Sequence, residues 1–232
     1  MAELVTALRS RQEAVGRWTG FVVLGLAVAN QLSGVRDTAP GIERVRWALV
    51  SVLFVLFWSA YWRRRPALVL ASKASQILLP LVCSGLPLLQ LPPLPVVHAA
   101  GVVLGSSSAV LWRPLFEIDP RYGLVVMAAA EACAVVAMLS LGRSFSIFSE
   151  VRELATSGLY RFVRHPLYLA EMIAVWGYLL LWPALWAFGC ALLFTALQSW
   201  RARVEERLLL AHQPAYAGYR ARTGFLLPRL RR

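Results

Sequence analysis

Five apolar runs separated by short polar stretches organise the chain: Trp18–Leu32, Trp47–Trp62, Ala67–Trp112, Tyr122–Leu141 and Leu167–Leu197. About 20 helical residues cross the hydrocarbon of a bilayer. The third run is interrupted at Leu91-Pro92-Pro93-Leu94-Pro95, which leaves each half long enough to cross. The last is too long for one helix and breaks at Trp182-Pro183 with no charge at the break, which predicts a tight helical hairpin turning at the far interface. The first run follows a polar arm with Arg9, Arg11 and Arg17, and Ala27-Val28-Ala29 gives it the look of a signal peptide; it is read as a retained first span. Gly16/Gly20 and Gly101/Gly105 are spaced for close helix packing.

Charge placement orients these runs. Tyr61-Trp62 followed by Arg63-Arg64-Arg65-Pro66 reads as an aromatic belt and a basic stop on the cytoplasmic side. Seven spans would put the basic stretch 143–165 and the basic tail outside. Six crossings put them inside with Arg63–Arg65, so the expectation is an all-α, polytopic integral membrane protein of about six transmembrane helices. One half of Ala67–Trp112 is then re-entrant or tilted. The expected fold is all-helical because lipid leaves the backbone few other ways to satisfy its polar groups.

Composition agrees. The chain of 232 residues is 59% hydrophobic and 16% charged, with mean hydropathy +0.60, far from the balance of a soluble domain. The net charge of +12 fits basic loops against anionic lipid better than nucleic acid, since no reading motif accompanies it. Cys83, Cys133 and Cys190 all lie in apolar runs without C-x-x-C spacing, which predicts buried thiols, not a disulfide framework or a zinc site. Lys73 is the only lysine beside many arginines, a bias that points to a GC-rich bacterial genome and so to a bacterial inner membrane.

The stretch Leu141–Glu171 carries Arg143, Arg152, Arg161, Arg164 and His165 between two apolar runs. The hairpin returns Trp200-Arg201-Ala202-Arg203-Val204-Glu205-Glu206-Arg207 to the same face of the membrane, so cations and carboxylates converge there. On their own, Arg201/Glu205 and Arg203/Glu206 are ordinary surface pairs of a helix entering water. His98, His165 and His212 have no ligand spacing, so no metal is expected. No G-x-S-x-G, Walker loop or G-x-G-x-x-G occurs. A zwitterionic, adenosine-bearing cofactor suits the set, with acids for an ammonium, Arg or His for a carboxylate, and aromatic rings for a purine or sulfonium.

Gly158–Tyr168 (GLYRFVRHPLY), Leu141–Ser146 (LGRSFS), Arg201–Leu208 (R-x-R-x-E-E-R-L), Tyr216-x-x-Tyr219 and Leu227-Pro228 closely resemble the isoprenylcysteine carboxyl methyltransferase-like family of membrane methyltransferases. The resemblance covers roughly Leu141–Pro228. It implies N-terminal transmembrane helices on the substrate side (1–121) and an S-adenosylmethionine-binding core (122–232) with its cofactor pocket open to the cytosol. A methyl group would pass to a lipophilic acceptor, an isoprenoid-like carboxylate or a thiol, arriving from the bilayer. Carried over residue by residue, Tyr160, Val163, Arg164, His165, Pro166 and Tyr168 would line the cofactor, with Glu205 and Glu206 meeting its amino-acid end or fixing the Arg/His groups. Arg164 and Glu171 are the catalytic candidates, and Arg143 and Arg201 the substrate-binding ones. Glu171 is otherwise a helix N-terminal carboxylate, and Arg143 a snorkelling interfacial cation.

Ala170 stands where many members have Gly, and the G-x-G of the phospholipid N-methyltransferase branch is absent. Glu171 and the Tyr216-to-Pro228 ending are also similar to NADPH-dependent membrane sterol and steroid reductases, the alternative enzyme. A membrane scaffold or transporter is the non-enzymatic alternative, although no internal repeat supports it.

Overall fold

In the computed structural model, the residues described are 18, 21, 22, 25, 29, 41–63, 67–71, 73–85 and 114–229. Most of the first apolar run, both G-x-x-x-G pairs, Arg64–Pro66 and the proline-rich break lie outside them. The described residues form an all-helical structure: α1 Ile42–Arg63, α2 Ala74–Gly85, α3 Pro120–Leu141, α4 Pro166–Leu181, α5 Leu185–His212 and α6 Tyr216–Arg222. Strand-like pairing among them is confined to isolated bridges.

The second apolar run becomes α1, which starts five residues earlier than its hydrophobic pattern predicts and takes in the polar turn Ile42–Arg46. In the first half of the long third run, α2 is described over 12 residues, up to where the described residues stop at Gly85. The run Tyr122–Leu141 is α3, begun by Asp119, whose side chain accepts from Arg121 N, and by Pro120 at the first position. Together with the turn Gly142–Ser144, α3 is the one helix among the described residues long and apolar enough to cross a membrane.

α3 lies against α1 on one side and α4 on the other. Its contact with α4 is glycine on glycine. A Cβ on Gly123 would stand 2.8 Å from the Gly177 carbonyl oxygen, and one on Gly177 2.7 Å from Met127. Ala130, Ala134 and Ala137 continue the small-residue face, so the backbones approach closely along the crossing.

The predicted hairpin is present. α4 stops at Trp182-Pro183 and α5 starts at Leu185, while the turn is held by Leu115 N donating to Pro183 O at 2.5 Å. α5 does not end where its apolar stretch does; it runs unbroken for 28 residues, about 42 Å. Its polar third therefore stands rigidly beside the start of α4. The connection from α3 to α4 is tied down at Val151, which bridges Val69, and at Ser149, whose N–H donates to Gln76 O.

Candidate functional site

Backbone constraints build the Arg164-His165-Pro166 corner. Pro166 takes the first position of α4, where its missing N–H has no helical partner to lose. Upstream, Gly158 turns the chain at φ +56°, directly above Ser140, whose Oγ would lie 2.1 Å from any Cβ there. The C-terminal segment closes over the corner: Gly224 N donates to Phe162 O, Arg164 N to Gly224 O (2.9 Å) and His165 N to Phe225 O (3.3 Å). Residues after α6 are thus stitched to residues before α4.

Glu205 and Glu206 point different ways, as neighbours about 100° apart on a helix must. Glu206 meets the corner. Its Oε1 accepts from Arg164 Nε at 2.5 Å and lies 3.3 Å from His165 Nε2, which is buried and makes no well-formed hydrogen bond. Arg220 Nε approaches its other oxygen at 3.7 Å. Arg164 also donates to the Thr223 and Arg220 carbonyls, at 2.5 and 3.2 Å. Glu205 faces the interior, where it accepts from Tyr168 Oη at 2.5 Å and lies 3.4 Å from Arg201 Nε. The Arg201 guanidinium sits 4.7 Å over the Tyr168 ring and donates to Ile147 O at 2.7 Å. One turn further in, Gln198 Nε2 donates to Glu171 Oε2, and beyond it Trp176 Nε1 donates to Thr195 Oγ1 at 3.0 Å. Antiparallel α4 and α5 therefore carry a ladder of polar pairs descending from the cleft into an apolar interior.

Around the corner, a cleft of about 330 Å³ is lined by Arg164, Arg203, Glu206, Arg207, Arg220 and Phe225. It adjoins a hollow of about 570 Å³ that shares Arg164, Arg220 and Phe225. Four guanidinium groups face one carboxylate, so the cleft favours an anionic group. The His165 ring stacks on Tyr168 (centroids 5.3 Å apart, 9° between planes) and meets the edge of Phe225.

Burial alone would raise the Glu206 carboxyl, but His165, the Arg164 hydrogen bond and the guanidinium charge outweigh it and hold its pKa at about 2, from an ordinary 4.5. A group depressed in the folded state adds stability that is complete above its unfolded pKa and is lost as pH falls toward its folded one. Melting temperature is therefore expected to fall more steeply between about pH 4.5 and 2 in the wild type than in Glu206→Gln; parallel curves in thermal melts would contradict this. Burial pushes the Tyr219 hydroxyl up to about 12, which keeps it a donor to Tyr160 O at 2.6 Å.

Of the residues expected from sequence, Arg164, His165, Tyr168, Glu205, Glu206, Arg201 and Glu171 fall along this one ladder. Tyr160 and Val163 are buried beneath it, Val163 bridging to Gly224. Arg143 is elsewhere, its Nε donating to Arg63 O at 3.0 Å, where it caps the end of α1. Gln198, Arg220, Thr223 and Phe225 were not anticipated. Only Gln198 had a visible signal, a lone amide directly after an apolar run; the others lie on α6 or in the segment that follows it.

A helical hairpin thus brings buried cations and carboxylates to the mouth of a cleft of about 330 Å³. Residues 120–213 match the family described as phospholipid methyltransferase. No curated protein matches the chain. The matched stretch ends before Arg220, Thr223 and Phe225, which complete the corner.

Proposed function

We propose that the protein is an S-adenosylmethionine-dependent, polytopic integral membrane methyltransferase acting on a lipophilic acceptor. The observation that carries this reading is the Arg164–Glu206–His165 corner at the edge of the arginine-lined cleft. The residues suit the donor. Arg164, Arg203 and Arg220 supply cations for its carboxylate, His165 Nε2 is a buried polar atom without a well-formed hydrogen bond, and Phe225 offers an aromatic face. When bound, S-adenosylmethionine supplies a methyl group made electrophilic by its sulfonium.

The chain's own part is alignment and exclusion of water. Arg164, tied to two backbone carbonyls and Glu206, is a preorganised anchor. Tyr168, Glu205 and Arg201 lock one another beneath it, and neither Arg201 nor Tyr168 retains the rotamer freedom that would blur the geometry. Glu171 lies deeper, on the side from which a bilayer-borne acceptor would come. The basic cleft belongs on the cytosolic face of a bacterial inner membrane, by the bias of arginine toward that side. Exposed Val125, Val136 and Leu139 on α3 and Leu192 and Leu193 on α5 suit contact with lipid.

The test is thermal stabilisation in detergent. S-adenosylhomocysteine is expected to raise the melting temperature, NADPH is not, and His165→Ala is expected to lose the shift while remaining folded. A full shift in that variant, or a shift with NADPH alone, overturns the reading.

A further inference from the structure

The exposed face of α5 changes character along its length. Phe188, Leu192 and Trp200, then Arg203, Arg207 and Leu210, are all exposed and recur at helical spacing on one side of the helix. The apolar part suits lipid, and Trp200 suits the boundary between hydrocarbon and water. Beyond it, Arg203, Arg207 and Leu210 line the cleft. The Cα–Cβ bonds of a helix tilt toward its N-terminus, so both arginines lean back toward Trp200 and the bilayer.

These two arginines are unmatched. Among the described residues neither forms an ion pair, and the Arg203–Glu206 pair expected from sequence is not made, because Glu206 is held by Arg164, His165 and Arg220. Like charges one turn apart on a helix repel. The cleft as a whole sets four guanidinium groups against one carboxylate. The proposed donor does not correct this imbalance. It carries one carboxylate but also an ammonium and a sulfonium, so it is a net cation entering a cationic cleft, and a further anion is needed to hold it there.

We propose that Arg203 and Arg207 bind the phosphate of an anionic membrane lipid, whose acyl chains lie along Phe188, Leu192 and Trp200, and that this phosphate neutralises the cleft for the cationic donor. The proposal rests on the membrane methyltransferase reading. Arg164 and Arg220, already beside Glu206, stay with the donor's carboxylate. Arg203, its guanidinium 5.8 Å from the Phe225 ring, stands between the two anions. Guanidinium groups offer phosphate paired N–H donors. A lipid held in the bilayer presents its phosphate at a high effective concentration, which a free ion does not. S-adenosylhomocysteine has lost the sulfonium and is neutral overall, so it depends less on the extra anion. Lipid charge therefore favours donor over spent product at one site.

The test uses the full chain in nanodiscs of phosphatidylcholine alone or mixed with phosphatidylglycerol, with binding of S-adenosylmethionine and S-adenosylhomocysteine measured in each. An anionic surface at about −30 mV concentrates any monovalent cation about threefold, for wild type and variants alike. Wild type is expected to gain on the order of tenfold in donor affinity from phosphatidylglycerol, S-adenosylhomocysteine little, and the gain is expected to shrink in high salt. Arg207 is exposed, so replacing it leaves the core untouched. Arg207→Gln is expected to keep only the surface effect and Arg207→Lys most of the wild-type gain. Native mass spectrometry is expected to find phosphatidylglycerol retained by wild type and lost from Arg207→Gln. Equal gains in wild type and Arg207→Gln, an equal gain for S-adenosylhomocysteine, or the same gain from inorganic phosphate added to phosphatidylcholine discs overturns the proposal and leaves the methyltransferase reading standing. Absence of binding by either ligand in every disc removes that reading and the proposal with it.

Discussion

Glu206→Ala is expected to abolish stabilisation by S-adenosylhomocysteine and to lower the melting temperature on the order of 10 °C. Among the described residues, Glu206 is the one carboxylate that faces Arg164, His165 and Arg220 together. Removing one partner of a buried ion pair costs about 3–5 kcal/mol because the other charge stays buried without compensation. The Arg164 and Glu206 side chains are each 9% exposed, so little of that interaction is screened by solvent. Glu206→Gln keeps an acceptor oxygen and is expected to lose less stability. Thermal melts of the three proteins with and without ligand decide it, and an alanine variant that melts and binds like wild type would mean the corner is held by its backbone contacts alone.

Gly224→Ala is expected to damage the same corner without touching a charge. Any Cβ at this position would lie 1.7 Å from the Leu227 carbonyl oxygen, a backbone atom that cannot rotate away. The turn must open, and with it go the bonds that Gly224 makes to Phe162 O and receives from Arg164 N. Expected are loss of the S-adenosylhomocysteine shift and accelerated proteolysis after α6, with the α3–α4 core retained. Strained overpacking of this kind costs about 1–3 kcal/mol or more. Limited proteolysis with mass mapping checks it, and an unchanged cleavage pattern with intact binding would show that the C-terminal segment does not secure the site.

The helices were legible because their signals are local. Apolar run length marked α1 and α3, and Pro183 in an uncharged break marked the hairpin, since proline removes a backbone donor wherever it stands. Proline after His165 likewise announced the start of α4. Helix extents were less legible. α5 continues through its charged third because good helix formers such as Arg, Glu, Leu and Ala sustain it, although hydropathy stops at Leu197.

An all-helical chain with a charged corner at Arg164–Pro166, and two acids returned to it by a hairpin, can be read from the residues alone, because period, proline and charge act over a few residues. The packed fold alone reveals that Glu206 serves the corner while Glu205 turns inward to Tyr168 and Arg201, that Arg143 caps α1, and that Gln198 lies beside Glu171. Those assignments depend on helix rotation and on a chain reversal after α6. Rotation about a helix axis is set by which side chains pack against a neighbour, glycine on glycine at Gly123 and Gly177 here, and that is a property of pairs of segments far apart in the chain.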